Sequence, residues 1–137
     1  MRKTMLMVGI TVAIFTAMLA AMRGTPAAAD TRTFELRTYT VAPGKFDALH
    51  TRFREHATKL FKKHGMTVVG FWVPQDKPDT LVYILAHPSR QAADAAWQAF
   101  RADPDWIAAK AASEKDGSLT TKVESVFMSP TDYSPMK

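Results

Sequence analysis

The chain has 137 residues, no cysteine, and 18 basic against 13 acidic side chains, which gives a formal charge of +5. This length suits one compact domain of ordinary size. The lack of cysteine excludes disulfide bonds, thiol catalysis and a lipid-anchored lipoprotein.

The first 29 residues have the three parts of a secretory signal. Residues 1–3 carry two positive charges, Met5 to Met22 form an apolar run, and Ala27-Ala28-Ala29 supplies the small residues that a signal peptidase reads. We predict a signal peptide over 1–29, a mature domain over 30–137, and a periplasmic or secreted protein without stable membrane insertion. The alternative is an uncleaved membrane anchor, because 18 apolar residues are just long enough to span a bilayer.

Most of the net charge belongs to this leader. Removing Arg2, Lys3 and Arg23 leaves 15 basic against 13 acidic residues, a formal charge of +2. A domain so nearly neutral does not predict a nucleic-acid surface. Without disulfides, a mature chain of 108 residues must gain its stability from its core or from burial against a second copy.

The domain opens with a strand and a helix. Residues 33–41 alternate with period two in a segment of β-rich composition, which predicts a strand with bulky side chains on both faces. Pro43-Gly44 breaks this strand, and over residues 46–61 the apolar side chains recur at helical spacing and form one stripe. Gly65 is a good stop for this helix.

A hairpin follows the first helix. Residues 66–74 and 81–87 are rich in β-branched and aromatic side chains and predict two strands. The segment Asp76-Lys77-Pro78-Asp79 between them has the composition of a turn. The two strands are therefore predicted to pair antiparallel.

A second helical region and a last strand complete the domain. Ser89 is an N-cap candidate for the second predicted helix. Asp103 caps the next segment, in which Pro104 takes the first helical position. Residues 122–128 alternate again and predict the fourth strand. The tail, 129–137, is predicted to lie extended over its own domain or over a neighbour's.

This order predicts an α+β domain in which two helices pack on one face of a four-stranded antiparallel sheet. The other sheet face is left open. We predict that Tyr39, Trp72 and Tyr83 lie on the open face, which makes it too apolar to remain in water. Two copies packing sheet to sheet would bury this face and enclose a cavity.

Several short motifs follow one another in a specific order between Phe34 and Pro135. They are Glu35-Leu36-Arg37-Thr38-Tyr39, Pro43-Gly44-Lys45, His64-Gly65, Val69-Gly70-Phe71-Trp72, Trp97, Phe100-Arg101, Asp103-Pro104-Asp105-Trp106, Val123-Glu124-Ser125-Val126-Phe127 and Ser134-Pro135. This order resembles the NIPSNAP family. The resemblance implies a ferredoxin-like βαββαβ domain that forms a dimeric α+β barrel, and it implies no particular reaction.

Arg37 and Tyr39 share a strand face with Glu35. The functional interpretation is a site for an anion or a carbonyl oxygen, with Arg37 as the cation and Tyr39 as a donor. The structural interpretation pairs Arg37 with Glu35 or Glu124. The closeness of these carboxylates favours the structural interpretation.

Aromatic and histidine side chains supply the remaining candidates. Trp72 and Tyr83 could form a wall for a planar ligand, although aromatic residues in such positions are more often dimer core. His87 ends the third predicted strand and could line a cavity mouth or lie at the surface. The other histidines are six and eight residues apart on one helix, which does not predict a metal site. No metal or cofactor is predicted.

Three functional hypotheses remain open. The first is a homodimer that binds a small, partly apolar or aromatic ligand in the barrel cavity, lined by Arg37, Tyr39, Trp72, Tyr83 and His87. The second is an enzyme similar to the cofactor-independent monooxygenases among related barrels, with His87 or Tyr39 near the substrate. The third is a structural or partner-binding dimer with a filled interior. A cavity with convergent polar groups would favour the first two.

Overall fold

The computed structural model describes residues 32–137, so the predicted leader lies outside the described residues and its processing stays a prediction. The elements are β1 (Thr33–Val41), α1 (Phe46–Arg52), a π-helical turn (Phe53–Ala57), α2 (Thr58–Lys63), β2 (Thr67–Trp72), β3 (Thr80–His87), α3 (Arg90–Ala102), α4 (Pro104–Ser113) and β4 (Thr120–Met128). No helix in this part of the chain is both long and apolar enough to cross a membrane.

The four strands form one antiparallel sheet in the order β2-β3-β1-β4. β1 is therefore central although it is first in sequence, and β2 and β4 are the two edges. The helices pack on one face, where their apolar stripes meet the sheet. This arrangement confirms the predicted ferredoxin-like α+β fold.

The core between the sheet and the helices is largely aromatic. Phe61 of α2 stacks on Phe100 of α3, with 5.2 Å between ring centroids, and lies 5.8 Å from Tyr83 of β3. Phe53 packs edge-on against Tyr83 at 5.3 Å. Because helix stripes and the inner sheet face both supply rings here, the fold needs no disulfide to build a dense core.

The predicted helix starts are confirmed. Ser89 Oγ accepts a hydrogen bond from the Ala92 N–H at 3.0 Å, which caps α3. Asp103 Oδ1 accepts one from the Asp105 N–H at 2.9 Å, and Pro104 opens α4. Hydrogen bonds from Lys63, from the Asp105 backbone and from a histidine lower the pKa of Asp103 to about 2.

A bulge in β2 decides which of its side chains face the helices. The register with β3 shifts between Val68 and Gly70, so one extra residue is inserted there. Phe71 consequently lies opposite Tyr83 on the helix side, and Trp72 lies on the other side. A Cβ on Gly70 would come within 2.6 Å of the Trp72 ring, so glycine is what allows this ring to lie flat on its own strand.

The sheet face away from the helices, which we term the open face, is apolar. Trp72 is 50% exposed and Val126 is 53% exposed there. The tail after β4 folds back over one end of this face, so that Phe34 is buried. A cavity of about 310 Å³ remains between the tail and the sheet, bordered by Phe34 and Ile84.

The prediction that Tyr39 and Tyr83 lie on the open face is wrong, whereas Trp72 does lie there. Tyr83 is fully buried under the helices, and Tyr39 packs edge-on against Phe53 with 5.7 Å between ring centroids. The reason is the inner face of β1. This face accepts the charged side chains of Glu35 and Arg37 because they form a hydrogen-bonded ion pair. The aliphatic side chains of β1 therefore lie on the open face.

Candidate functional site

A buried polar cluster, which we term the Glu35 cluster, lies between the sheet and α3. The Glu35 carboxylate is 1% exposed and is the centre of the cluster. Its Oε1 accepts hydrogen bonds from Arg37 Nη1 and Ser125 Oγ, both at 2.7 Å. Its Oε2 accepts from Trp97 Nε1 at 2.7 Å and from His87 Nε2 at 2.9 Å. Four donors therefore saturate one carboxylate.

These donors keep Glu35 ionised in spite of its burial. Burial alone would raise the pKa of this carboxyl group. The hydrogen bonds from His87, Trp97, Arg37 and Ser125 outweigh burial and lower the pKa from 4.5 to about 2. A carboxylate so well solvated by the protein is a poor general base, and its role is to fix the donors around it.

Arg37 is one member of the Glu35 cluster whose hydrogen-bonding capacity is not fully used, as is His87. The arrangement around Arg37 fixes its place. Its guanidinium lies 4.3 Å from the centroid of the Trp97 ring, which restricts its position. Burial opposes the charge of Arg37, but the neighbouring Tyr83, Tyr39 and Glu35 raise its pKa above the usual value. The side chain is 16% exposed, and its Nε has no hydrogen-bond partner among residues 32–137.

Two tyrosines, Tyr39 on β1 and Tyr83 on β3, extend the cluster. The buried Tyr83 hydroxyl donates to the Tyr39 hydroxyl at 3.0 Å, and burial raises the pKa of Tyr83 well above its usual value. Arg37 Nη2 also donates to the Tyr39 oxygen, at 3.4 Å. Tyr39 therefore accepts two hydrogen bonds, and within residues 32–137 its own hydroxyl hydrogen has no acceptor.

The cluster reaches solvent at the edge strand β4. Ser125 lies opposite Arg37 and Val123 lies opposite Tyr39, on the helix side of the sheet. Val123 is nevertheless 44% exposed, and Ser125 is exposed too, so the helices do not cover this part of β4. The guanidinium of Arg37 and the hydroxyl of Tyr39 thus lie beside an exposed, partly apolar stretch of β4. We term this pair the Arg37–Tyr39 site.

Of the five predicted site residues, the structure brings four together. Arg37, Tyr39, Tyr83 and His87 belong to one hydrogen-bonded cluster, whereas Trp72 lies on the opposite sheet face. The prediction that His87 lines a cavity mouth is wrong. His87 is 1% exposed, because a hydrogen bond to the buried Glu35 holds it inside.

The preferred structural interpretation of Arg37 is confirmed, since it pairs with Glu35 and not with Glu124. Two members of the cluster were not predicted. Neither Trp97, which also packs in the core, nor Ser125 was singled out as a candidate site residue in the sequence. No group of three or more histidine, cysteine, aspartate or glutamate side chains in residues 32–137 is placed to hold a metal ion.

Comparisons with known proteins agree on the fold. The sequence model of the NIPSNAP family matches residues 34–135. No protein of curated function matches the sequence. Among solved structures, a NIPSNAP family protein of unknown function from Agrobacterium tumefaciens is similar, with 24% identity and a TM-score of 0.69 over 80% of this chain and 96% of that one.

Two more distant structures carry enzyme names. A putative antibiotic biosynthesis monooxygenase from Nitrosomonas europaea is 13% identical, with a TM-score of 0.57 over 77% of this chain and 95% of that one. A mutant of SnoaB, a cofactor-independent oxygenase from Streptomyces nogalater, is 16% identical, with a TM-score of 0.54 over 77% of this chain and 98% of that one. At these identities the likeness extends to the fold alone.

Proposed function

The chain belongs to the NIPSNAP family, and we propose that it acts as an exported homodimer that binds a small, partly apolar ligand. The ligand's carbonyl or carboxylate oxygen would be held by the Arg37–Tyr39 site. The observation that carries this proposal is a cation and a hydroxyl donor that are fixed in place by buried neighbours and still lie beside the exposed edge strand β4.

The chemistry of the site selects the ligand's polar end. The Arg37 charge and the unused Tyr39 hydrogen both favour an oxygen that carries negative charge or a strong dipole. The half-exposed Val123 beside them favours an apolar body. Tyr83 and His87 are too deeply buried to touch such a ligand, so their part is to position Tyr39 and Glu35.

The homodimer accounts for the open face. A sheet face carrying half-exposed Trp72 and Val126 is typical of an interface and not of a free surface. Pairing with a second copy would bury both residues and leave the Arg37–Tyr39 site on the helix side of each subunit. Trp72, predicted as a ligand contact, is therefore assigned in this proposal to the dimer interface or to the cavity beneath the sheet.

A second candidate function is a cofactor-independent monooxygenase. The fold shared with two proteins that carry oxygenase names favours it. In that case the ligand would be an electron-rich phenol or enol and O₂ the oxidant, and the Arg37–Tyr39 site would stabilise the substrate oxyanion. Consumption of O₂ by the ligand-bound protein would distinguish this enzyme from a binder.

Native mass spectrometry of the mature protein, purified from the envelope fraction of its own host, is the test of ligand binding. We expect a dimer that carries a discrete additional mass. Tyr39→Phe removes the hydroxyl donor but keeps the ring, so it should lower ligand occupancy as if the dissociation constant rose about tenfold. Tyr133→Phe is the matched control, because Tyr133 is 83% exposed and distant in sequence.

Two results would contradict the ligand proposal. One is a dimer without any additional mass in the native spectrum. The other is a bound mass retained equally by Tyr39→Phe and Tyr133→Phe, which would place the ligand elsewhere.

Export is tested by the denatured mass of the same preparation. We expect the mass of residues 30–137, because cleavage should follow Ala29. Ala29→Arg should block cleavage and retain the whole chain in the membrane fraction, whereas Ala28→Gln should be processed normally, since the peptidase reads the positions on either side of Ala28. A full-length wild-type protein in the envelope would instead support the membrane anchor.

A further inference from the structure

A small cavity lies beside Phe53, between the first helix and the sheet. Its volume is about 240 Å³, and it lies over β2 and β3, whereas the Arg37–Tyr39 site lies over β1 and β4. The lining contains one cationic side chain and no carboxylate. The lining residues are His50, Phe53, Arg54, Thr58, Phe71 and Leu81.

The π-helical turn arranges the polar side of this cavity. On an ideal α-helix, residues four apart are rotated by about 40° and drift off one another. The extra residue in the π turn offsets this drift, so that His50, Arg54 and Thr58 lie in one row along the cavity. Turns of this kind occur frequently at functional sites.

The two basic side chains of the row have unused hydrogen-bonding capacity. His50 Nε2 is buried and has no hydrogen-bond partner among the described residues. The His50 ring is restricted by Phe46, with 4.3 Å between ring centroids. The side chain of Arg54 is exposed and forms no salt bridge within residues 32–137. A buried unpaired nitrogen costs free energy unless a ligand or water satisfies it.

The opposite wall is apolar and aromatic. The rings of Phe53 and Phe71 pack edge to face, with 5.7 Å between centroids, and Leu81 completes the wall. A cavity of this size is at the lower end of ligand sites and holds one ring at most. We propose that it binds a small aromatic carboxylate, whose ring contacts Phe53 and Phe71 and whose carboxylate accepts hydrogen bonds from Arg54 and His50.

Benzoate is the probe for this site, and the four histidines give a direct readout. Titration of the full mature dimer, followed by long-range ¹H–¹⁵N correlation of the imidazoles, should show a saturable shift of the His50 signal. The signal of His56, which is exposed on the same helix, should not move. Benzyl alcohol has the same ring without the charge and should bind at least about tenfold more weakly.

A pair of charge-matched variants tests the role of Arg54. Arg54→Gln should raise the dissociation constant of benzoate about tenfold, whereas Lys59→Gln, which removes a charge from the same helix outside the cavity, should change it less than about twofold. The proposal is overturned if benzoate does not shift His50 saturably, if benzyl alcohol binds as tightly, or if the two variants weaken binding equally. The His50 shift is measured on the wild-type protein, so this part of the test does not depend on whether a variant folds.

Discussion

Replacing Glu35 with glutamine is expected to lower the free energy of unfolding by about 3–5 kcal/mol, the range found when one partner of a buried ion pair is removed. Glutamine preserves the shape of the side chain, so packing changes little. Each carboxylate oxygen now accepts two hydrogen bonds. The amide nitrogen that replaces one of them is itself a donor and would face an obligate donor, either Arg37 or Trp97, whichever way the amide is turned. Chemical denaturation at pH 7 measures the loss.

The control for this variant is Glu124→Gln, on the neighbouring strand. Glu124 is half-exposed and pairs only with Lys122, at 2.8 Å. Exposed pairs of this kind contribute at most about 1 kcal/mol, so we expect a change near zero. Equal losses in the two variants would mean that the Glu35 cluster contributes no more to stability than a surface pair does.

The Glu35 cluster should also make the free energy of unfolding depend on pH in the acidic range. The pKa of Glu35 is lowered in the folded protein, so its contribution is present above the unfolded value of 4.5 and is lost as pH falls from 4.5 towards 2. A shift of this size corresponds to about 3 kcal/mol. The free energy of unfolding of the wild type should fall by this amount between pH 4.5 and pH 2, and that of Glu35→Gln should fall correspondingly less. Asp103 acts in the same direction in both proteins, so the difference between them isolates Glu35.

The elements and their order could be predicted from the sequence because their signals are local. The alternation over 33–41, the turn residues between β2 and β3, and the caps Ser89 and Asp103 each depend on neighbours within a few positions. One antiparallel hairpin and helices joined by short loops leave few ways to assemble a sheet of this size.

The face of β1 that packs against the helices could not be predicted from local sequence, because both faces carry bulky side chains. The hydrogen-bond donors that stabilise the Glu35 carboxylate on the inner face come from distant positions in the chain. Trp97 is 62 residues from Glu35 and Ser125 is 90 residues from it. The sequence analysis placed Tyr39, and with it Glu35 and Arg37, on the open face, whereas mutual satisfaction of these groups allows them to face the helices.

The bulge in β2 and the π turn in the first helix also could not be predicted from the periodicity of apolar residues in the sequence. Each inserts one residue into a regular pattern, and the packing of the surrounding rings decides where the insertion falls. The bulge places Phe71 inward and Trp72 outward, and the π turn aligns His50 with Arg54. The cavity beside Phe53 therefore depends on two irregularities that appear only in three dimensions.

Replacing Val126 with aspartate is expected to convert the proposed homodimer into a monomer. Val126 is 53% exposed on the open face of β4, opposite Leu36. In a twofold symmetric interface the substitution introduces two carboxylates, each of which must lose water without gaining a cation. We expect the dimer dissociation constant to rise at least about 100-fold, which sedimentation velocity at micromolar concentration would detect as a halving of the mass.

Val123→Asp is the matched control, because it changes the same residue type on the same strand at a similar exposure of 44%. Val123 lies opposite Tyr39 on the helix side, so the control protein should remain a dimer while its ligand occupancy falls. Equal dissociation by both variants would point to contacts along the edge of β4 and not to the open face. A wild-type protein that sediments as a monomer at micromolar concentration would contradict the dimer itself. In that case half-exposed Trp72 and Val126 would need another partner, because an apolar sheet face of this kind is seldom left in water.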